Sequence, residues 1–149
     1  MDPRIIKFLR RHHVLTLSTV SEQGSWTAHC FYAYVEDHQA IVFTTDPETR
    51  HGSELLKNPG VSGGIMLETN VIGKIRGIQL TGRAYPCQPG DPDIIARVTP
   101  EQARIAYLKR FPYALAMKLN LWVLSVDYIK MTDNRLGFGK KLIWEREEF

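Results

Sequence analysis

Apolar and polar residues alternate with a period of two along most of this chain, and three stretches switch to a helical period. In the first stretch Ile5, Phe8, Leu9 and His12 share one face, and Asp2-Pro3 supplies a cap and a proline for the first helical position. A helix ending near His12 or His13 is predicted. VLTLSTV (Val14 to Val20), WTAHCFYAYV (Trp26 to Val35) and AIVFTT (Ala40 to Thr45) are β-branched or aromatic runs separated by the turns SEQGS and EDHQ. Strands joined so tightly run antiparallel.

A second helix is predicted within TTDPETRHGSELLKNP (Thr44 to Pro59), capped by Asp46, with Pro47 at its first position and a stop at Asn58-Pro59-Gly60. VSGGIMLE (Val61 to Glu68) reads as a fourth strand whose Gly63-Gly64 pair marks a bulge or a close backbone approach. After a turn near Asn70, GKIRGIQLTGRAYP (Gly73 to Pro86) is a long fifth strand, and CQPGDPD (Cys87 to Asp93) a loop. Thr99-Pro-Glu-Gln102 is a capping box opening a helix to about Phe111, continued from Pro112 to about Lys118. A sixth strand lies in NLWVLSVDYIKMTDN, and LGFGKKLIWER forms a glycine turn and a last strand. Six or seven antiparallel strands in 149 residues predict a mainly β fold with helices, of α+β class. We expect one domain over residues 1–149: a small barrel with a short helix after strand three and helices before strand six. A doubly wound sheet is disfavoured, because consecutive strands lack helical crossovers.

Composition narrows the class. Hydrophobic residues are 44% and charged residues 23%, an ordinary globular balance, and no apolar run is long enough to span a bilayer. The basic N-terminus lacks an apolar core and a cleavage site, so a cytoplasmic protein is expected. A net charge of +3 is too weak to imply nucleic acid and suits a small anionic ligand. Arg10 to His13 reads as a solvated helix end. Cys30 and Cys87 have no metal or redox spacing and are expected as reduced thiols.

Few residues suggest acid–base or metal chemistry. His29 and Cys30 are neighbours on a strand, so their side chains point to opposite faces and cannot form a dyad. The five histidines show no ligand spacing, and no GxGxxG or GK[S/T] loop is present. His29 is either a satisfied barrel histidine or a ligand contact. The stretch around Thr49, Arg50 and His51 puts cations at a helix start, where the dipole disfavours them. It is either a capped connector with Arg50 and His51 in water, or an anion site. For the latter, Thr44, Thr45 and Thr49 would add hydroxyls, and Arg50 a planar fork, to the free N–H groups of the first turn. Gly77 and Gly82 interrupt strand five, either at a barrel corner or where a flat ligand nears the backbone. Gly137 and Gly139 bracket an aromatic, followed by Lys140, Lys141, Trp144 and Arg146.

Four segments carry a resemblance: TRH at Thr49–His51, IRGIQLTG at Ile75–Gly82, AYLKRFPYA at Ala106–Ala114 and IKMTDNRLGFGKKLIWER at Ile129–Arg146. With them the chain resembles the flavin-binding split-barrel superfamily of pyridoxamine 5′-phosphate oxidase, and within it the YhbP-like group. The resemblance implies a split barrel with Greek-key-like connectivity and a homodimer holding FMN at its interface. It implies that His29, Cys30, Phe31 and Tyr32 line the flavin, and that Thr44, Thr45, Thr49, Arg50 and His51 hold ribityl and phosphate. Lys140, Lys141 and Trp144 would come from the other subunit. The sequence departs from the oxidases in several places. They place arginine where His29 falls, lysine where His51 falls and glutamine where Gly77 falls, and their arginine-rich C-terminal substrate motif is not recognisable here. The expectation is therefore an FMN-dependent oxidoreductase of another substrate, with no residue assigned as acid or base. A non-catalytic carrier or sensor of flavin, nucleotide or haem is the alternative. Neither nucleic acid nor membrane is expected as a partner.

Overall fold

A computed structural model describes residues 1–88 and 98–147. Helix α1 (Pro3–Arg11) precedes strands β1 (Val14–Ser21), β2 (Gly24–Val35) and β3 (Ala40–Thr44). Helix α2 (Arg50–Lys57) leads into β4 (Gly60–Met66) and β5 (Arg76–Pro86). Helix α3 (Pro100–Arg110) precedes β6 (Leu121–Asp133) and β7 (Lys141–Glu145). The seven strands run antiparallel in the order β3-β2-β1-β4-β5-β6-β7, and an added β3–β6 pairing closes the first six into a ring. The predicted mainly β fold with helices, a split barrel, is thus the observed one.

The split lies within β6. Its first half, Leu121 to Ser125, pairs with β3, and its second half, Tyr128 to Thr132, pairs with β7. Strand β5 lines both halves, with a register shift at Thr81/Gly82 that leaves Asp127 without a β5 partner. A bulge bends the strand there, and Gly82 makes the bend possible: a Cβ on it would overlap the Ser125 carbonyl oxygen. Arg146 fastens the same point. Its guanidinium donates to the carbonyls of Val126 (2.8 Å) and Gln39 (2.9 Å), and its backbone N–H to that of Asp127 (2.8 Å).

The continuous apolar run of β3 is explained by burial on both faces. Ile41 and Phe43 enter the barrel core, whereas Ala40 and Val42 pack beneath α3 with Val98, Ala103 and Tyr107. Helix α1 plugs one barrel end with Ile5, Phe8 and Leu9. Its last carbonyls are capped from elsewhere: Tyr32 Oη donates to Leu9 O (2.8 Å), and Arg110 donates to His12 O.

Several boundaries differ from expectation; β5, for one, starts at Arg76 rather than Gly73, after a 3-10 turn over Ile72–Lys74. Helix α2 starts at Arg50 with Thr49, not Asp46, as its N-cap; Thr49 Oγ1 accepts from Gly52 N (3.1 Å). Asp46 instead closes a turn by accepting from Glu48 N (2.9 Å). The helix start folds back so tightly on this turn that a Cβ on Gly52 would overlap the Asp46 carbonyl oxygen. The continuation after Pro112 is a 3-10 turn over Pro112–Ala116, short of Lys118. The capping box at Thr99 and Gln102 forms as predicted. Most of the CQPGDPD loop lies outside the described residues.

Candidate functional site

Period-two alternation gives the sheet a polar outer face. Residues opposite one another across six strands form one row: Ile143, Lys130, Gln79, Gly64, Thr16 and His29. At the ordinary strand spacing this row runs for about 24 Å. A groove of about 290 Å³ follows its middle. Gly63 and Gly64 lie along it, and Thr16, Ser18, Ser62 and Thr81 supply hydroxyls. Tyr128 and Lys130 line it too, and Lys130 is its only charged residue among those described. Phe31, Met66 and Ile143 are exposed large apolar side chains on this face. Gly77 belongs to the adjacent row, with Met66, Thr132 and Lys141.

Each expected β2 residue falls on the side its parity dictates. His29 is exposed, and its Nδ1 is hydrogen-bonded to Thr16 Oγ1 (3.1 Å). Phe31 is 58% exposed, with its ring 5.4 Å from that of Phe111. Cys30 and Tyr32 point into the core, so only their backbone is available to a ligand on the outer face. Burial pushes the Cys30 thiol up to about 11, which leaves it protonated at neutral pH.

The strand-to-helix corner is compact. Thr45 Oγ1 lies 2.5 Å from His51 Nε2, and Thr49 Oγ1 lies 3.4 Å from the same nitrogen. The Thr49 hydroxyl already donates to Asp46 O (2.7 Å) while it caps Gly52. Burial lowers the His51 pKa, outweighing the nearby Glu54 carboxylate, so the ring is neutral near pH 7. Among the described residues the first-turn N–H groups of Arg50 and His51 have no acceptor. Thr44 is half-buried at the end of β3.

Arg50 turns the other way. Its Nε donates to Glu54 Oε1 (3.0 Å) and its Cζ sits 4.5 Å from the centre of the Trp26 ring. It lines a cavity of about 670 Å³ between the β1–β2 hairpin and α2, to which Thr45, Thr49 and His51 do not contribute. Glu54 is buried and also accepts from Thr19 Oγ1 and Ser21 Oγ. These hydrogen bonds, led by Thr19 and then Arg50, hold its pKa below the usual carboxylate value. In the C-terminal hairpin, Lys140 follows Gly139 at an exposed tip and Lys141 faces outward opposite Thr132. Trp144 faces inward and packs on the core of its own chain.

The structure therefore joins Thr45, Thr49 and His51, puts Lys141 in the row of Gly77, and sends Arg50 to a separate partner set. Sequence reasoning missed Gly52, Trp26, Glu54 and Lys130. An available signal for Lys130 was the alternation of IKMTD, which sends Lys130 to the polar side. Glu54 carried no local signal, since its hydroxyl partners lie more than thirty residues away.

Residues 1–129 match the family model described as pyridoxamine 5′-phosphate oxidase. The chain belongs to that family. Among relatives in it, a UPF0306 protein of Photorhabdus laumondii is 42% identical over 142 residues, covering 95% of this chain and 94% of its own. Several solved structures share the fold at low identity. A heme binding protein from Mycobacterium smegmatis superposes with a TM-score of 0.68 at 21% identity. That match covers 97% of this chain, which spans only 59% of the other. A FAD-binding protein from Mesorhizobium loti gives a TM-score of 0.63 at 14% identity, covering 88% of this chain and 94% of its own. This pyridoxamine 5′-phosphate oxidase fold thus occurs in proteins that bind different flat ring cofactors. No helix among the described residues is long and apolar enough to cross a membrane.

Proposed function

We propose that this member of the pyridoxamine 5′-phosphate oxidase family binds FMN non-covalently as a cytoplasmic homodimer and acts as an oxidoreductase. The outer-face groove carries the reading. Among the described residues its lining offers hydroxyls, an amide, one cation and no carboxylate, which suits a polyhydroxylated, electron-rich ligand. The first-turn N–H groups beside Thr45, Thr49 and His51 suit a phosphate. Bound FMN would supply two-electron chemistry; the chain's own part is to orient it and to exclude water. Either Thr44, Thr45, Thr49 and His51 at the corner or Arg50 in its own cavity on the other side of the helix start would hold the phosphate end, and the backbone of His29 to Tyr32 would border the ring. Exposed Phe31, Met66 and Ile143 on one face favour a second copy covering the groove, which would bring in Lys140 and Lys141.

Freshly purified protein should show flavin absorption bands, or quench FMN fluorescence on titration, and should scatter as a dimer. Ile143→Asp should shift it toward monomer and weaken FMN. A colourless protein that leaves FMN fluorescence unchanged refutes the reading. One observation favours a haem carrier or sensor as the second reading. His29 is exposed and held through Nδ1 by Thr16, and its Nε2 has no partner among the described residues. That is the arrangement of a histidine ready to ligate a metal. Haem titration that gives a Soret shift lost in His29→Ala, without any flavin binding, would select it.

A further inference from the structure

Building on the flavin reading, we propose that Glu54 and Trp26 are positioning residues. They hold the Arg50 guanidinium by one edge and one face, so that its two terminal nitrogens are presented to the anionic group of the ligand.

The geometry is that of a clamp. A guanidinium carries five N–H donors. Arg50 spends the one on Nε on Glu54 and rests its plane against Trp26. Its Nη1 and Nη2 have no acceptor among the described residues, and they belong to a side chain lining the 670 Å³ cavity. The clamp is itself anchored. Glu54 is 8% exposed, and Thr19 and Ser21 at the end of β1 occupy its oxygens along with Arg50. An ordinary i,i+4 surface pair leaves its carboxylate in water and contributes little. Here the carboxylate is buried and accepts three hydrogen bonds, and the arginine side chain is the more exposed partner.

Two effects of Glu54 on an incoming phosphate oppose each other. Its charge offsets part of the Arg50 charge, which weakens attraction. Its hydrogen bond removes rotamer freedom that Arg50 would otherwise lose on binding, which strengthens it. Glu54→Gln separates them: the amide oxygen can still accept from Arg50 Nε, and the Thr19 and Ser21 hydroxyls can rotate to suit the amide, but the charge is gone. Glu54→Ala removes both.

The experiment titrates FMN and riboflavin, which lacks the phosphate, into each variant, and reads the riboflavin Kd divided by the FMN Kd. Melting temperatures identify folded variants, and Trp26→Phe, which keeps a ring face, serves as the conservative control. Positioning predicts that Glu54→Gln and Trp26→Phe keep the wild-type ratio or raise it. Glu54→Ala and Trp26→Ala fall about three- to tenfold below them, the worth of one pre-ordered side chain. In an Arg50→Ala background, Glu54→Ala should add nothing. A Glu54→Ala ratio equal to that of Glu54→Gln, or a full Glu54→Ala effect without Arg50, overturns the proposal. A wild-type protein that binds neither flavin rejects the flavin reading instead. The same variants are then titrated with inorganic phosphate. Binding lost in Arg50→Ala and Glu54→Ala but kept in Glu54→Gln supports the clamp; equal binding in all, or none in the wild type, overturns it.

Discussion

Gly77 and Gly82 are five residues apart on β5, yet they should respond oppositely to the same added methyl group. At Gly82, a Cβ would overlap the Ser125 carbonyl oxygen and sit 2.8 Å from Leu124 Cδ1 and 3.1 Å from the Ser125 carbonyl carbon. Two of those atoms are backbone of β6 at the point where the ring closes, so relief requires the two strands to part. Overpacking of this kind costs about 3 kcal/mol, at the upper end for a forced backbone shift. For a chain of this size, Gly82→Ala should lower Tm by roughly 6–12 °C. At Gly77, the nearest atoms to a new Cβ are Ile65 O at 3.4 Å and Met66 Cβ at 3.5 Å, ordinary contacts. Gly77→Ala should therefore move Tm by less than about 3 °C. If a flavin meets the outer face beside Gly77, the same methyl should weaken FMN binding about tenfold. Thermal melts by circular dichroism and FMN titrations of both variants test the division. A Gly82→Ala protein melting within about 2 °C of the wild type would refute the close-approach reasoning.

Arg110 should resist conservative replacement. It donates to His12 O at the end of α1 while its Cζ lies 5.2 Å from the centre of the Tyr32 ring, and a lysine cannot both fork and stack. Arg110→Met should cost about 1.5–3 kcal/mol in urea denaturation, and Arg110→Lys should restore little of it; full recovery by lysine would contradict the role. Stability should fall in two stages on acidification. Burial lowers the His12 and His51 pKa values below 6.5, so the unfolded chain binds protons first, and stability drops as pH falls below about 6.5. Glu54 and Asp133 are held below 4.5 and 3.8 by hydrogen bonds from Thr19 and Arg135 respectively, so a second loss begins as pH falls through those values. Urea midpoints measured from pH 8 to pH 3 should show both stages, with the first reduced in His51→Asn. If the corner rather than the Arg50 cavity takes the phosphate, its charge favours His51 protonation, so lowering the pH from 8 to 7, above the phosphate's own second pKa of about 6, should strengthen FMN binding but not riboflavin binding. Equal pH slopes for the two ligands would exclude His51 from the phosphate site.

The strands and capping motifs were legible because their signals are local. Alternation in VLTLSTV and in β5 sends Leu15, Leu17, Ile78 and Leu80 inward, as observed. The same rule separates His29 from Cys30, one exposed and one buried. The start of α2 is not legible locally, because Asp46-Pro47 satisfies the local capping rules as well as Thr49 does. What decides between them is the contact of Gly52 with the Asp46 carbonyl, which depends on how the turn folds back. The resemblance gives Trp144 to a partner's site; within its own chain, position on the pleat turns Trp144 to the core, and Arg146, which follows it, is spent on the carbonyls at the split.

The cations at the start of α2 find their explanation in partners that the sequence scatters widely. A positive side chain in a first helical turn is disfavoured by the dipole, and here each is compensated differently. His51 sheds its charge through burial and is held by Thr45. Arg50 keeps its charge, but Glu54 one turn later and the Trp26 ring stabilise it without occupying its terminal nitrogens. Were the corner only a connector, neutralising Arg50 completely would be the cheaper solution, and a second carboxylate near its Nη groups would achieve it. Among the described residues the partner set instead stops at one edge and one face, and it leaves unoccupied the donors that match a planar or tetrahedral oxyanion, on a side chain that lines a cavity. An arginine held in this way has already lost much of the freedom that binding would otherwise remove. Its affinity for an anion should therefore depend on the geometry of Glu54 more than on its charge.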